Sequence, residues 1–131
     1  MIRKLALLVI AALVSLTLAA AAQEAAKKAP APITLTGELV DTGCFLSKGA
    51  HGEKHISCAT KCISEGMPMG LLTSGGKLYL ITLDHDNPDP YNKLKEMAGK
   101  NVSVTGVVSV RAGMQGIDVT DAKLAAAEPA K

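Results

Sequence analysis

The chain is expected to fold as a mainly β domain with short helices: a five-stranded OB-like barrel. A Cys/His-bearing helical insertion follows strand 1, and a second helix lies between strands 3 and 4. Three observations predict it. Five segments read as strands, two of them by apolar–polar alternation (33–40 and 102–110) and two by the turn residues they flank (69–73 and 77–83). The two helical segments fall after the first and third of these, which is the order of an OB-type barrel. Only residues 33–124 carry such patterning, and closing the sheet on itself spares so short a domain its exposed edges. An open antiparallel sheet with both helices on one face is the alternative architecture.

The elements follow in order. Residues 33–40 alternate through Ile33, Leu35 and Leu39, with Gly37 expected to bulge or bend the strand. Asp41-Thr42-Gly43 breaks it, and residues 49–54 are polar and glycine-containing, hence a loop. Ser57 is placed to cap a helix running to about Glu65, where Gly66 ends it. Residues 69–73 and 77–83 flank Ser74-Gly75-Gly76, a hairpin signal. Residues 84–90 hold three aspartates, two prolines and an asparagine, so no regular structure is expected there. Tyr91, Leu94 and Met97 share a helical face over residues 91–98, closed by Gly99. Residues 102–110 alternate around Gly106, and residues 117–120 form the last strand.

The whole-chain composition of 131 residues, 48% hydrophobic and formal charge +2, is distorted by its start. Within residues 1–22 only Arg3, Lys4, Ser15 and Thr17 are not apolar. A basic start, an apolar run and small residues at Ala20 and Ala22 read as an export signal cleaved before Gln23. An uncleaved membrane anchor is the alternative, because 18 apolar-rich residues (5–22) approach the length of a spanning helix. Residues 23–32 read as a flexible linker and residues 125–131 as a loose tail. From Gln23 onward 12 basic residues balance 12 acidic ones. That neutral domain has only Phe45, Tyr79 and Tyr91 as aromatics, which argues against the basic, stacking surface of a nucleic-acid binder. The expected location is periplasmic or secreted.

The chemistry concentrates in one stretch. All three cysteines, Cys44, Cys58 and Cys62, and two of the three histidines, His51 and His55, fall within residues 44–62. On a helix His55, Cys58 and Cys62 span a fan of about 60°, and the two cysteines stand one turn apart. Their Cβ atoms, roughly 5–6 Å apart, suit a shared metal ion better than a disulfide. Cys44, delivered from the end of strand 1, supplies a third thiolate, and His55, or His51 from the loop, completes a tetrahedral set. Three thiolates suit zinc or Cu(I). Met67 and Met69 add thioethers nearby, with core filling as their ordinary role. The alternative is a disulfide between Cys44 and either Cys58 or Cys62, common in small exported domains. That leaves an odd thiol, buried or joining two chains. A thiol redox pair at Cys58 and Cys62 ranks third, since its spacing is one residue longer than C-x-x-C. A c-type haem is disfavoured because Cys58-Ala-Thr-Lys-Cys62 is followed by Ile63 and is not C-x-x-C-H, and an iron–sulfur cluster is disfavoured by export.

Two weaker features complete the inventory. Asp84, His85, Asp86, Asn87 and Asp89 group oxygen ligands for a hard cation, but they lack the EF-hand pattern and read first as a solvated turn. Asp41 is expected to form a turn, with a second role as hydrogen-bond partner of a ligand histidine. No acyl-transfer, paired-carboxylate or phosphate-loop signature occurs, so an enzyme is not the favoured reading.

The string Gly37-Glu38-Leu39-Val40-Asp41-x-x-Cys44, then His55-x-x-Cys58-Ala59-x-x-Cys62, Gly66-x-Pro68 and Gly99-Lys100-x-Val102-x-Val104-x-Gly106 resembles small exported bacterial proteins without an assigned activity. The likeness spans about residues 36–119. It implies an OB-type barrel with a cysteine and histidine insertion, and it implies that Cys44, His55, Cys58 and Cys62 act as a unit, with His51 less firmly included. The expected function is thus an exported, non-enzymatic zinc- or copper-binding module. A disulfide-stabilised interaction module of the envelope is the alternative.

Overall fold

A computed structural model describes residues 30–126. The expected signal segment, residues 23–29 of the linker and residues 127–131 of the tail lie outside the described residues. Five strands and three short helices make a small mixed α/β domain: β1 (Ile33–Asp41), α1 (Thr42–Lys48), α2 (Ile56–Ser64), β2 (Met69–Thr73), β3 (Leu78–Leu83), α3 (Asp89–Leu94), β4 (Asn101–Arg111) and β5 (Met114–Leu124). Single 3₁₀ turns precede α2 at Glu53–His55 and follow α3 at Lys95–Met97. Among the described residues no helix is long and apolar enough to cross a membrane.

The sheet closes on itself in the ring β1-β2-β3-β5-β4, not as an open sheet. All neighbours are antiparallel except β3 and β5, which run parallel. A parallel pair needs a crossover, and α3 lies on the path between β3 and β4. The interior comes from the alternating apolar positions. Leu39, Leu71, Val102, Val104, Ile117 and Val119 are wholly buried, and Ala59, Ile63 and Leu94 bring α2 and α3 into the same core.

Several expectations needed correction. A helix, α1, occupies residues 42–48, where only a break after the first strand was expected. Asp41 does turn the chain, and the turn is a helix N-cap. The helix α2 starts one residue before Ser57, with His55 at its N-cap position and no side-chain cap. The Asp/Pro stretch is not wholly irregular, because α3 starts at Asp89 with Pro90 in its first turn, where a missing N–H costs nothing. Gly37 pairs regularly with both Thr73 and Val102; the register shift lies instead between Thr105 and Gly106.

Beside that shift the two strands approach closely, with a testable consequence. A Cβ on Gly106 would overlap the Asp118 carbonyl of the neighbouring strand. Gly106→Ala is expected to lower stability by about 2 kcal/mol, because backbone, unlike a side-chain tip, cannot step aside. Urea denaturation checks it, and an unchanged midpoint would refute the close approach.

The β4–β5 hairpin turns at Ala112-Gly113, both at positive φ (49° and 79°). This is the geometry of a two-residue primed turn, which favours Asn-Gly. Ala112→Asn is expected to stabilise the protein by about 1 kcal/mol, the cost of holding alanine left-handed. Thermal denaturation would show this as a raised midpoint.

Candidate metal centre

Asp41, the last residue of β1, begins the site. It is wholly buried, and its backbone is still extended (φ −75°, ψ 127°), so its side chain is free to cap the helix that follows. Oδ1 accepts the Cys44 N–H at 2.7 Å. Cys44 therefore projects from the first turn of α1, not from the strand itself. Gly49, at φ 66°, ends α1 and sends the chain back. The 3₁₀ turn then brings His55 against β1, where its Nε2 lies 2.9 Å from Asp41 Oδ2.

Helix α2 presents two kinds of residue. Ala59 and Ile63, one turn apart, are buried in the core. Cys58 and Cys62, also one turn apart, sit about 100° round the helix. Their Sγ atoms are 4.0 Å apart, Cys58 exposed and Cys62 half-buried. Donor atoms of Cys44, His55 and Cys58 all lie within 4.8 Å of one another, and so do those of Asp41, Cys44 and Cys62. Cys44 is common to both groups. Two thiolates bound to one zinc ion at tetrahedral angles stand roughly 3.8 Å apart, close to the Cys58–Cys62 spacing. All three cysteines are free thiols.

The electrostatics favour a cation. Burial pushes the Asp41 carboxyl up, but the Cys44 N–H and the His55 ring outweigh it and hold the group below the ordinary carboxylate range. An ionised Asp41 only accepts, so the His55 ring donates to it through Nε2, which leaves Nδ1 as the nitrogen that a ligand would take. The hydrogen bond to the Asp41 carboxylate, together with burial, pushes the Cys44 thiol up to about 12. Burial and the neighbouring Cys58 also raise Cys62. Neither is a ready nucleophile at neutral pH. A bound cation would reverse these shifts by taking the place of the protons.

The structure thus gathers Cys44, His55, Cys58 and Cys62, with Asp41 behind them. It places His51 elsewhere: Nδ1 lies 3.2 Å from Glu38 Oε2, and the ring meets Phe45 edge-on at 6.0 Å. Glu38 also accepts the Gly52 N–H, a loop-fixing role that the alternation of β1 gave no reason to expect. Among the described residues, the Asp84–Asp89 loop adds no third ligand group, and Asp84 Oδ1 accepts the Asp86 N–H in an ordinary turn. Asp41 joins both of its expected roles, as helix cap and as histidine partner. The D-x-x-C spacing carried that signal, because an N-cap carboxylate accepts from the residue three places on. Comparison with known protein families, with curated proteins and with solved structures finds no match for this chain.

Proposed function

We propose that this protein is an exported, non-enzymatic module that binds one zinc or copper ion through Cys44, His55, Cys58 and Cys62 on an OB-type barrel. The observation that carries the reading is the convergence of three sulfurs and an imidazole from two chain segments, with Cys44 within 4.8 Å of both helix cysteines. Soft, thiolate-rich sets of this kind suit zinc and Cu(I). The buried Asp41 supports it, since ligand histidines commonly give their second ring N–H to a carboxylate that fixes tautomer and orientation. The strand and helix order and the parallel β3–β5 pair favour the OB-type assignment. The apolar residues 1–22 and the neutral remainder favour export.

Elemental analysis together with thiol titration of the full chain, purified without added reductant, tests the reading. One metal per chain with all three thiols protected until a chelator is added is the expected result. A metal-free protein with a single titratable thiol would instead identify a disulfide-stapled domain.

A further inference from the structure

Two methionines follow the cysteine helix and meet different fates. Met69 is 1% exposed and belongs to the core, whereas Met67 is 37% exposed. Core filling therefore accounts for the first and not the second. The Met67 N–H donates to the Cys62 carbonyl at 2.9 Å, which places it directly after the cysteine turn of α2. Its side chain then crosses to α1. The Sδ and Cε atoms lie 2.6 and 2.7 Å from where a Cβ on Gly43 would sit, so the thioether occupies this position only because residue 43 has no side chain. Pro68 fixes the crossing, because its carbonyl accepts both the Thr42 N–H and the Thr42 hydroxyl at 3.0 Å. The thioether thus bridges the residue before Cys44 and the residues after Cys62, on the seam between the two sulfur-bearing helices.

We infer that the site selects Cu(I) over Zn(II), with the Met67 thioether serving as an additional soft donor beside Cys44, Cys58 and Cys62. This rests on the metal-binding reading above and narrows it to one cation. Softness decides between the two ions: thioether sulfur adds affinity for Cu(I), while zinc draws its four ligands from thiolate, imidazole and carboxylate. The exposed Cys58 leaves one edge of the set open to solvent, which gives the ion a path in and out.

Two variants of the full chain test this without touching a cysteine or histidine. Met67→Leu keeps the volume and removes the sulfur. Gly43→Ala keeps the sulfur and pushes it off its seat; alanine favours a helix, so α1 still forms. Each protein is titrated anaerobically with Cu(I) against a chromophoric Cu(I) chelator, and separately with Zn(II) against a zinc chelator. Both variants are expected to bind Cu(I) about tenfold more weakly, with Zn(II) affinity within about twofold of wild type. Wild-type Cu(I) affinity in either variant overturns the inference, as does a parallel loss of zinc, while the cysteine–histidine site itself would stand. A wild-type chain that binds neither ion removes the functional reading and this inference with it.

Discussion

Cys44→Ser is expected to cost more metal affinity than the loss of either helix cysteine. Cys44 belongs to both groups of converging ligand atoms, whereas Cys58 and Cys62 each belong to one. Its removal leaves His55 and the two sulfurs of α2, all from one short segment, with nothing opposing them from α1. Serine offers a harder, protonated oxygen in place of a soft thiolate. The expected loss is at least about 100-fold in affinity, against about tenfold for Cys58→Ser at the exposed edge. Cobalt(II) makes the result visible, since thiolate ligation gives an intense charge-transfer band. If Cys44→Ser bound cobalt with an undiminished thiolate band, Cys44 would not be a ligand.

Asp41→Ala is expected to destabilise the metal-free protein strongly. It removes the cap of α1 and leaves the largely buried His55 ring Nε2–H without its acceptor. A lost cap costs about 1 kcal/mol and an unsatisfied buried donor about 2 kcal/mol, so a loss of about 3 kcal/mol is expected in urea denaturation. The same carboxylate predicts a dependence on pH. Its pKa in the folded protein lies below the ordinary value of 3.8, so it binds its proton less readily folded than unfolded. Its stabilising contribution is complete above the unfolded pKa and is lost as pH falls through the folded one. Stability should therefore decline below about pH 4 more steeply in wild type than in Asp41→Asn, where this group no longer titrates. Parallel acid profiles for the two proteins would show that Asp41 is not held ionised by its neighbours.

The strands were legible because apolar alternation is clear in β1 and β4, and because Ser74-Gly75-Gly76 marks the β2–β3 hairpin. Strand β5 runs from Met114 to Leu124, far beyond the expected residues 117–120. Thr120 explains the discrepancy. Gly106 pairs with Val119 and Thr105 with Asp121, so Thr120 is the extra residue of the register shift. Past it, the buried positions step from Val119 to Ala122, and a strict period of two loses the strand. Helix α1 was hidden for a different reason: aspartate and glycine serve equally as turn formers and as the two ends of a helix. Asp41 and Gly49 at the ends of a seven-residue segment mean the latter here.

The site was legible as chemistry and less so as geometry. The i, i+4 cysteines converge because Ala59 and Ile63 anchor the adjacent face of α2 to the core, a pattern visible in the sequence. His51 lies as close in sequence to Cys44 as His55 does to Asp41's capped helix, and nothing local separates them. Its diversion to Glu38 depends on β1, thirteen residues earlier, which no spacing rule reports.

The double allegiance of α2 would give a cation bound there leverage over the core it packs against. The helix that offers Cys58 and Cys62 outward also holds Ala59 and Ile63 in the core, so it cannot swing away from the ring while its sulfurs are ligated. Local opening of this segment would then be linked to metal activity, each tenfold rise in free ion above the dissociation constant adding about 1.4 kcal/mol to the work of opening. Amide exchange and proteolysis in residues 56–64 would follow the metal supply, and in the cell the half-life of the domain would report how much of that ion it has met.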